Sequence, residues 1–200
     1  MLCSLVLRNP PALLSLIAGV AVCDAVGPDA RVKWPNDVVL ESPANSEIQA
    51  PERRPTAPTF AKSSLAKVAG ILVEGRPQEG WAVLGIGVNV AVRVEELPQE
   101  ARIRAASLER PASAIEPLLA DLLVALTRRI EEPSEPALAA WRARDALFGR
   151  EISWSGHGRG GDMEHGRAEG IDSHGRLLVR LEDKSTTALS AGEVHLVSVG

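Results

Sequence analysis

Lys33-Trp34-Pro35-Asn36-Asp37 gathers a cation, an amide and a carboxylate into five residues, directly ahead of a short apolar run at 38–40. It is answered downstream by Lys67-Val68-Ala69-Gly70-Ile71-Leu72-Val73-Glu74, in which a lysine leads a second apolar run. A third element, Gly85-Ile86-Gly87-Val88-Asn89-Val90, closes a longer run at 81–90. Valine and isoleucine dominate these runs, which favours strands, and 81–90 reads as a central one. The polar groups of all three motifs therefore sit on strands or at strand ends, where a sheet can hold them rigidly.

Outward from these motifs, residues 2–7 read as a buried strand and 12–26 as a helix ended by Gly27-Pro28. The apolar residues of that helix run nearly all the way round it, so sheet and neighbours are expected to cover it. It is too short to span a bilayer and it contains Asp24, which argues against a membrane segment or signal peptide. Residues 74–80 read as a hairpin-like link. Residues 41–64 hold Pro43, Pro51, Pro55 and Pro58 among scattered polar residues, a composition expected to form a flexible insertion.

From Pro111 the pattern turns helical. Ile115, Leu118, Leu119, Leu122, Leu123 and Leu126 are expected on one face, with Arg128 and Arg129 near the C-terminal end. A second helix is expected over 136–147, carrying Trp141. After Gly149 short strands follow at 151–154, 167–171, 177–181, 186–189 and 194–199, with a turn at Asp172-Ser173-His174-Gly175. The chain thus reads as α+β followed by a small β-barrel.

Composition narrows the function. Twenty-two basic against 26 acidic residues give a formal charge of −4, with no support for a general phosphate-backbone binder. No helix-turn-helix pattern precedes the main domain, so no DNA partner is expected. Cys3 and Cys23 lie in apolar runs without metal-type spacing and read as buried free thiols of a reducing cytoplasm. None of the four histidines forms a compact ligand pair. Residues 155–162 are glycine-rich but lack the Gly-Lys-Ser/Thr ending of a phosphate loop, and are expected to form a mobile hairpin loop.

Taken singly, each motif has a plain structural reading. Lys33 fits a solvated turn, Lys67 a surface charge at a strand start, and Gly85 and Gly87 strand packing or a bulge. Taken together and in this order, the three motifs resemble those of the biotin protein ligases. The resemblance runs from about Leu2 to the C-terminus. It implies a mixed-sheet catalytic domain of the biotin/lipoyl ligase type at 1–148 and an SH3-like domain at 149–200.

The resemblance also implies a chemistry: activation of biotin by ATP to biotinyl-5′-AMP, then transfer to a lysine of a biotin carboxyl carrier protein of acetyl-CoA carboxylase or a related carboxylase. Two anions must meet in the first step, so a fixed cation and a carboxylate-held metal are needed. By the resemblance Lys67 is the catalytic residue and contacts biotin, and Gly70 lets backbone approach the biotin rings. Asn36, Asp37 and Asn89 lie on the ATP side, with Asp37 holding Mg2+. A cytoplasmic enzyme without a membrane partner is implied, with a homodimer as a candidate assembly.

The family's Gly-Arg-Gly-Arg-x-Gly-Arg loop is not found in these residues, and the first of them are already strand-like. The chain is therefore expected to begin inside the catalytic domain and to form the adenylate poorly or not at all. The alternative reading is a remnant or fragment that acts only as a nucleotide- or carrier-binding module.

Overall fold

Alternation of apolar and polar positions decides which side of the first sheet is buried. In Trp81–Val88 the side chains of Ala82, Leu84, Ile86 and Val88 are buried, while the intervening positions face the other way. In the computed structural model, which describes residues 1–41, 65–76, 79–155 and 163–197, this strand is one of five. They are β1 (Leu2–Arg8), β2 (Ala30–Lys33), β3 (Asp37–Glu41), β4 (Leu65–Arg76) and β5 (Trp81–Val88), in the order β1-β5-β4-β3-β2. The expected insertion at 41–64 lies outside the described residues except for Glu41, as does most of the glycine-rich stretch at 155–162.

Every pairing between these strands is antiparallel. Among the described residues, parallel contact, expected of a mixed sheet, is confined to two isolated bridges, Val32 with Asp145 and Lys67 with Ala105. β4 and β5 form the expected hairpin, and β5 is interior as expected, paired with β1 on one edge and with β4, the middle strand of the five, on the other. β1 is an edge strand whose even-numbered side chains are exposed; Leu2 is 90% accessible. The apolar run at 2–7 is thus covered on one face only, and Cys3 is half-buried rather than buried.

The buried face is closed by α1 (Leu14–Val26). Ala18, Val20, Ala21, Val22 and Cys23 of this helix are almost without solvent contact. A helix this apolar has no stripe to offer water, so it is enclosed: β2, β3 and β4 lie on one side, α3 (Ile115–Glu131) and α4 (Ser134–Arg142) on the other. α2 (Gln99–Arg102) is a single exposed turn. In α3, Leu118, Leu122, Ala125 and Leu126 are buried, whereas Leu123, expected on that face, is exposed. Burial lifts the Cys23 thiol to about 12, so it is an inert core group.

The one acid of α1 has an electrostatic role. Asp24 accepts hydrogen bonds from Arg128 (2.9 Å) and Arg129 (2.8 Å) of α3 and from Arg144 (3.0 Å) beyond α4. Three guanidinium groups converge on a largely buried carboxylate and tie the helical layer together.

The second sheet holds β6 (Glu151–Ser155), β7 (Met163–Ile171), β8 (Leu177–Arg180), β9 (Thr186–Leu189) and β10 (Val194–Leu196), antiparallel in the order β10-β6-β7-β8-β9. This is the SH3-like part of an α+β chain. Its buried side chains join those of the first sheet in one continuous cluster. The second long helix ends earlier than expected because the chain leaves it to pair with β2. Val32 donates to the Arg144 carbonyl (2.9 Å), and Ala146 donates to the Val32 carbonyl (2.8 Å). Between those two bonds sits Asp145, whose Oδ1 accepts the Leu147 N–H (2.8 Å) while Oδ2 is buried without a partner. Among the described residues, no helix is long and apolar enough to cross a membrane.

Two outcomes follow from these buried acids. Replacing Asp24 by Ala leaves three arginines without their anion and should cost about 2–4 kcal/mol in urea denaturation; a loss below about 0.5 kcal/mol would contradict the network's role. Burial raises the Asp145 carboxyl from its ordinary value of 3.8 to about 6, against the Leu147 and Phe148 N–H groups and Arg150. Between those values the folded chain holds a proton that the unfolded chain has released, so this residue's contribution falls as pH rises through the window. Asp145→Asn should therefore raise the melting temperature at pH 8 relative to wild type, with the gain shrinking toward pH 4. An equal gain at both pH values would exclude this origin.

Candidate active site

A one-residue irregularity sets the geometry of the site. β3 and β4 pair Val38 with Ala69 but Val39 with Lys67, so Val68 is an extra residue in the ladder. In a regular strand Lys67 and Gly70, three apart, would point to opposite faces. The bulge brings them to the same face: a Cβ built on Gly70 would lie 3.1 Å from both Cε and Nζ of Lys67. The Lys67 side chain therefore lies across the bare backbone of Gly70, and glycine leaves the room for it.

The backbone of Lys67 is held from a second direction. Its N–H donates to the Arg104 carbonyl (2.6 Å) and its carbonyl accepts from Ala106 N–H (2.7 Å). Its ammonium meets Asp37 Oδ1 at 2.5 Å, with the lysine side chain 48% exposed and the carboxylate 20% exposed. Asp37 in turn stands opposite Gly70 in β4 and opposite Lys33 in β2. Gly70 stands opposite Gly87, and Gly87 opposite Leu2. One row across all five strands thus reads Lys33, Asp37, Gly70, Gly87, Leu2, on the face away from α1. It is charged at one end, flat in the middle and apolar at the other.

Lys33 is a second cation on Asp37. Burial pushes its ammonium below the ordinary lysine range; Asp37 and Glu193 work the other way, while Lys67 and Arg104 add to the lowering. Arg104 and Glu193 were not singled out from the sequence. They arrive from an irregular segment and from the link between β9 and β10, and pair at 3.4 Å. Neither belongs to a local pattern, so only the folded chain brings them to Lys33.

The two asparagines are occupied by backbone. Asn36 donates from Nδ2 to the Ile71 carbonyl (2.8 Å), and its own carbonyl accepts from Ile71 N–H (2.9 Å). Asn89 donates from Nδ2 to the Ala106 carbonyl (2.9 Å), and its N–H donates to the Val68 carbonyl (2.8 Å). Asn36 thereby fixes the β2–β3 turn to β4, and Asn89 holds the bulge residue and the strip that carries Lys67. A surface cleft of about 260 Å3 lies beyond Asn89, between Ala91, Arg93 and Glu95 on one side and Ser107 and Arg110 on the other. It includes neither Lys67 nor Asp37, and the open sheet face is the better candidate because the cations and the glycine floor meet there.

Such a face can hold an anionic group against Lys67 and Lys33 while a flat or apolar group rests on Gly70 and Gly87. Comparison with known proteins bears on the family of the chain. Residues 149–197 match the family described as the biotin protein ligase C terminal domain. Over 92% of its length the chain is 32% identical to the biotin--[acetyl-CoA-carboxylase] ligase of Mycobacterium tuberculosis, covering 62% of that protein. It is likewise 32% identical to the bifunctional ligase/repressor BirA of Escherichia coli, covering 53% of it. The chain thus spans little more than half the length of these two relatives. A solved biotin protein ligase from Aquifex aeolicus superposes with a TM-score of 0.72 at 22% identity, over 98% of this chain and 82% of that one. The same enzyme solved in complex with biotin and ATP gives 0.71 at 21% identity, over 99% and 78%. The ligase of Paracoccus denitrificans is 31% identical, with 84% of this chain covering 67% of that protein. With that share of sequence and this fold, the chain belongs to the biotin protein ligase family.

Proposed function

We propose that the chain carries the ligase chemistry of its family: biotin and ATP react to give biotinyl-5′-AMP and pyrophosphate, and the acyl group then passes to a carrier lysine with release of AMP. The observation that carries this reading is the Lys67–Asp37 pair laid across Gly70 on the open face of the sheet. In the first step the biotin carboxylate attacks the α-phosphorus of ATP. Two anions meet, and the half-exposed Lys67 ammonium is placed to offset their repulsion and the charge that builds on the phosphoryl oxygens. Gly70 admits the biotin rings close to the backbone, and Asn36, Asp37 and Asn89 serve the nucleotide side. In the second step the amine of a lysine on a biotin carboxyl carrier protein attacks the mixed anhydride. The relatives named as acetyl-CoA-carboxylase ligases support that acceptor, and a cytoplasmic setting is part of the same proposal.

Asp37 is the residue that would hold Mg2+. Among the described residues no three His, Cys, Asp or Glu side chains gather as a metal cage. Magnesium bound through nucleotide phosphates needs only one or two carboxylates, so a single Asp37 fits. The ion would supply charge neutralisation at the phosphates. In its present contact Asp37 holds Lys67, so the incoming anions draw the lysine away as they free the carboxylate. Residues 1–148 form the catalytic part in this reading and 149–200 the SH3-like part; the family match at 149–197 supports the division.

Incubating the chain with biotin, ATP and Mg2+ and trapping acyl-adenylate with hydroxylamine tests the reaction. Lys67→Ala should slow trapping by roughly 100-fold or more. A variant as fast as wild type would remove Lys67 from the mechanism, and a wild-type chain that yields no hydroxamate would overturn the reaction for these 200 residues.

A further inference from the structure

The motif Lys33–Asp37 contains one large side chain to which the proposed reaction gives no role. Trp34 is 2% exposed and sits in the turn between β2 and β3. Its indole N–H donates to the carbonyl of Gly175, at 3.0 Å and 141 residues away in the chain. Gly175 belongs to the turn between β7 and β8 of the second sheet. A buried indole N–H without an acceptor is costly, so this bond ties the two parts together.

The turn that presents the acceptor is built to stay in place. Asp172 Oδ1 accepts the N–H groups of His174 (2.8 Å) and Arg176 (2.9 Å), and Oδ2 accepts Arg176 Nε (2.7 Å). Gly175 N–H donates to the Asp172 carbonyl (3.1 Å). Gly175 has φ +76°, and a Cβ there would lie 2.6 Å from Leu16 Cδ1 and 3.0 Å from Leu13 Cδ2. The turn therefore rests directly on α1 and cannot slide without moving the helix. On the other side of the β2–β3 turn, Asn36 is bonded twice to Ile71 in β4. The turn that delivers Asp37 is thus clamped between the central strand and the second sheet.

We infer that Trp34 is a positioning residue: through Gly175 it uses the second sheet to fix the Asn36–Asp37 turn, and with it Asp37, against Lys67. That this serves adenylate formation rests on the reaction proposed above. The clamp itself rests only on the geometry.

Hydrogen–deuterium exchange on the full 200-residue chain tests the clamp from both ends. Trp34→Phe keeps the ring and removes the donor. Gly175→Ala displaces the acceptor, and Asp172→Ala dissolves the turn from its solvent side, so the test survives if one variant fails to fold. Each should speed exchange about 10-fold or more at residues 33–38 and at the Ile71 amide, while α3 keeps its protection. Arg142→Gln, which removes a 3.4 Å bond from Arg142 to the Ile171 carbonyl at the same junction, should leave residues 33–38 unchanged. Unchanged exchange at 33–38 in the three variants, or a uniform rise across the chain, would overturn the inference. In the adenylate assay Trp34→Phe should lower kcat about 10-fold and leave the KM for biotin within about twofold. Local exchange with an unchanged kcat would overturn the positioning role in the reaction. If the wild-type chain forms no adenylate, the reaction falls and the exchange map still decides the clamp.

Discussion

The extra residue at Val68 is the constraint on which the site depends. Strand geometry alternates side chains with a period of two, and without an irregularity Lys67 would share a face with Ala69 and Ile71, which are buried. A lysine there would have to enter the apolar layer beneath α1 or disrupt it. The bulge inverts its direction while leaving Ile71 in the core and Gly70 on the open face. It needs support, and gets it: Val68 accepts from Asn89, and Lys67 is bracketed by Arg104 and Ala106. The irregular segment at 104–108 thus serves as a short substitute strand for the ladder that β5 leaves at Val88.

Once Lys67 faces outward, charge balance explains much of its surroundings. Two lysines and Arg104 gather around Asp37 and Glu193, so the cluster is cationic by one charge with all five ionised. An anion entering there neutralises the excess, whereas a cation without accompanying anions meets net repulsion. Charge also gathers elements behind the sheet, where one carboxylate of α1 collects three arginines. Neither cluster is local in sequence, and both hold elements that the hydrophobic layer alone would let slide.

The parts legible from the sequence were those with a local signal. α1, α3 and β5 announce themselves by periodicity and composition, and the ordered motifs picked out Lys67, Asp37 and Gly70, which the fold brings together. Asn36 and Asn89 were read as polar groups for a nucleotide, and the structure spends their Nδ2 donors on backbone carbonyls. β2 escaped notice because Ala30–Lys33 is four residues with two charges, and its place depends on Arg144 and Ala146 more than a hundred residues later. The bulge is a register property of two strands and leaves no mark in either one. Residues 2–7 looked buried because apolar residues dominate them, yet a strand at a sheet edge can have one covered face and one open one.

The enclosed character of α1 has a consequence for synthesis. Its carboxylate partners Arg128, Arg129 and Arg144 lie 104 to 120 residues further along the chain. At an ordinary ribosomal rate those residues take roughly 5–20 seconds to appear, and α3 and α4, which cover the helix, are made within the same interval. Until α3 and α4 emerge, the side of this almost wholly apolar segment that they cover has no partner from its own chain. The helix that anchors the finished core is therefore the part of the nascent chain most in need of a chaperone.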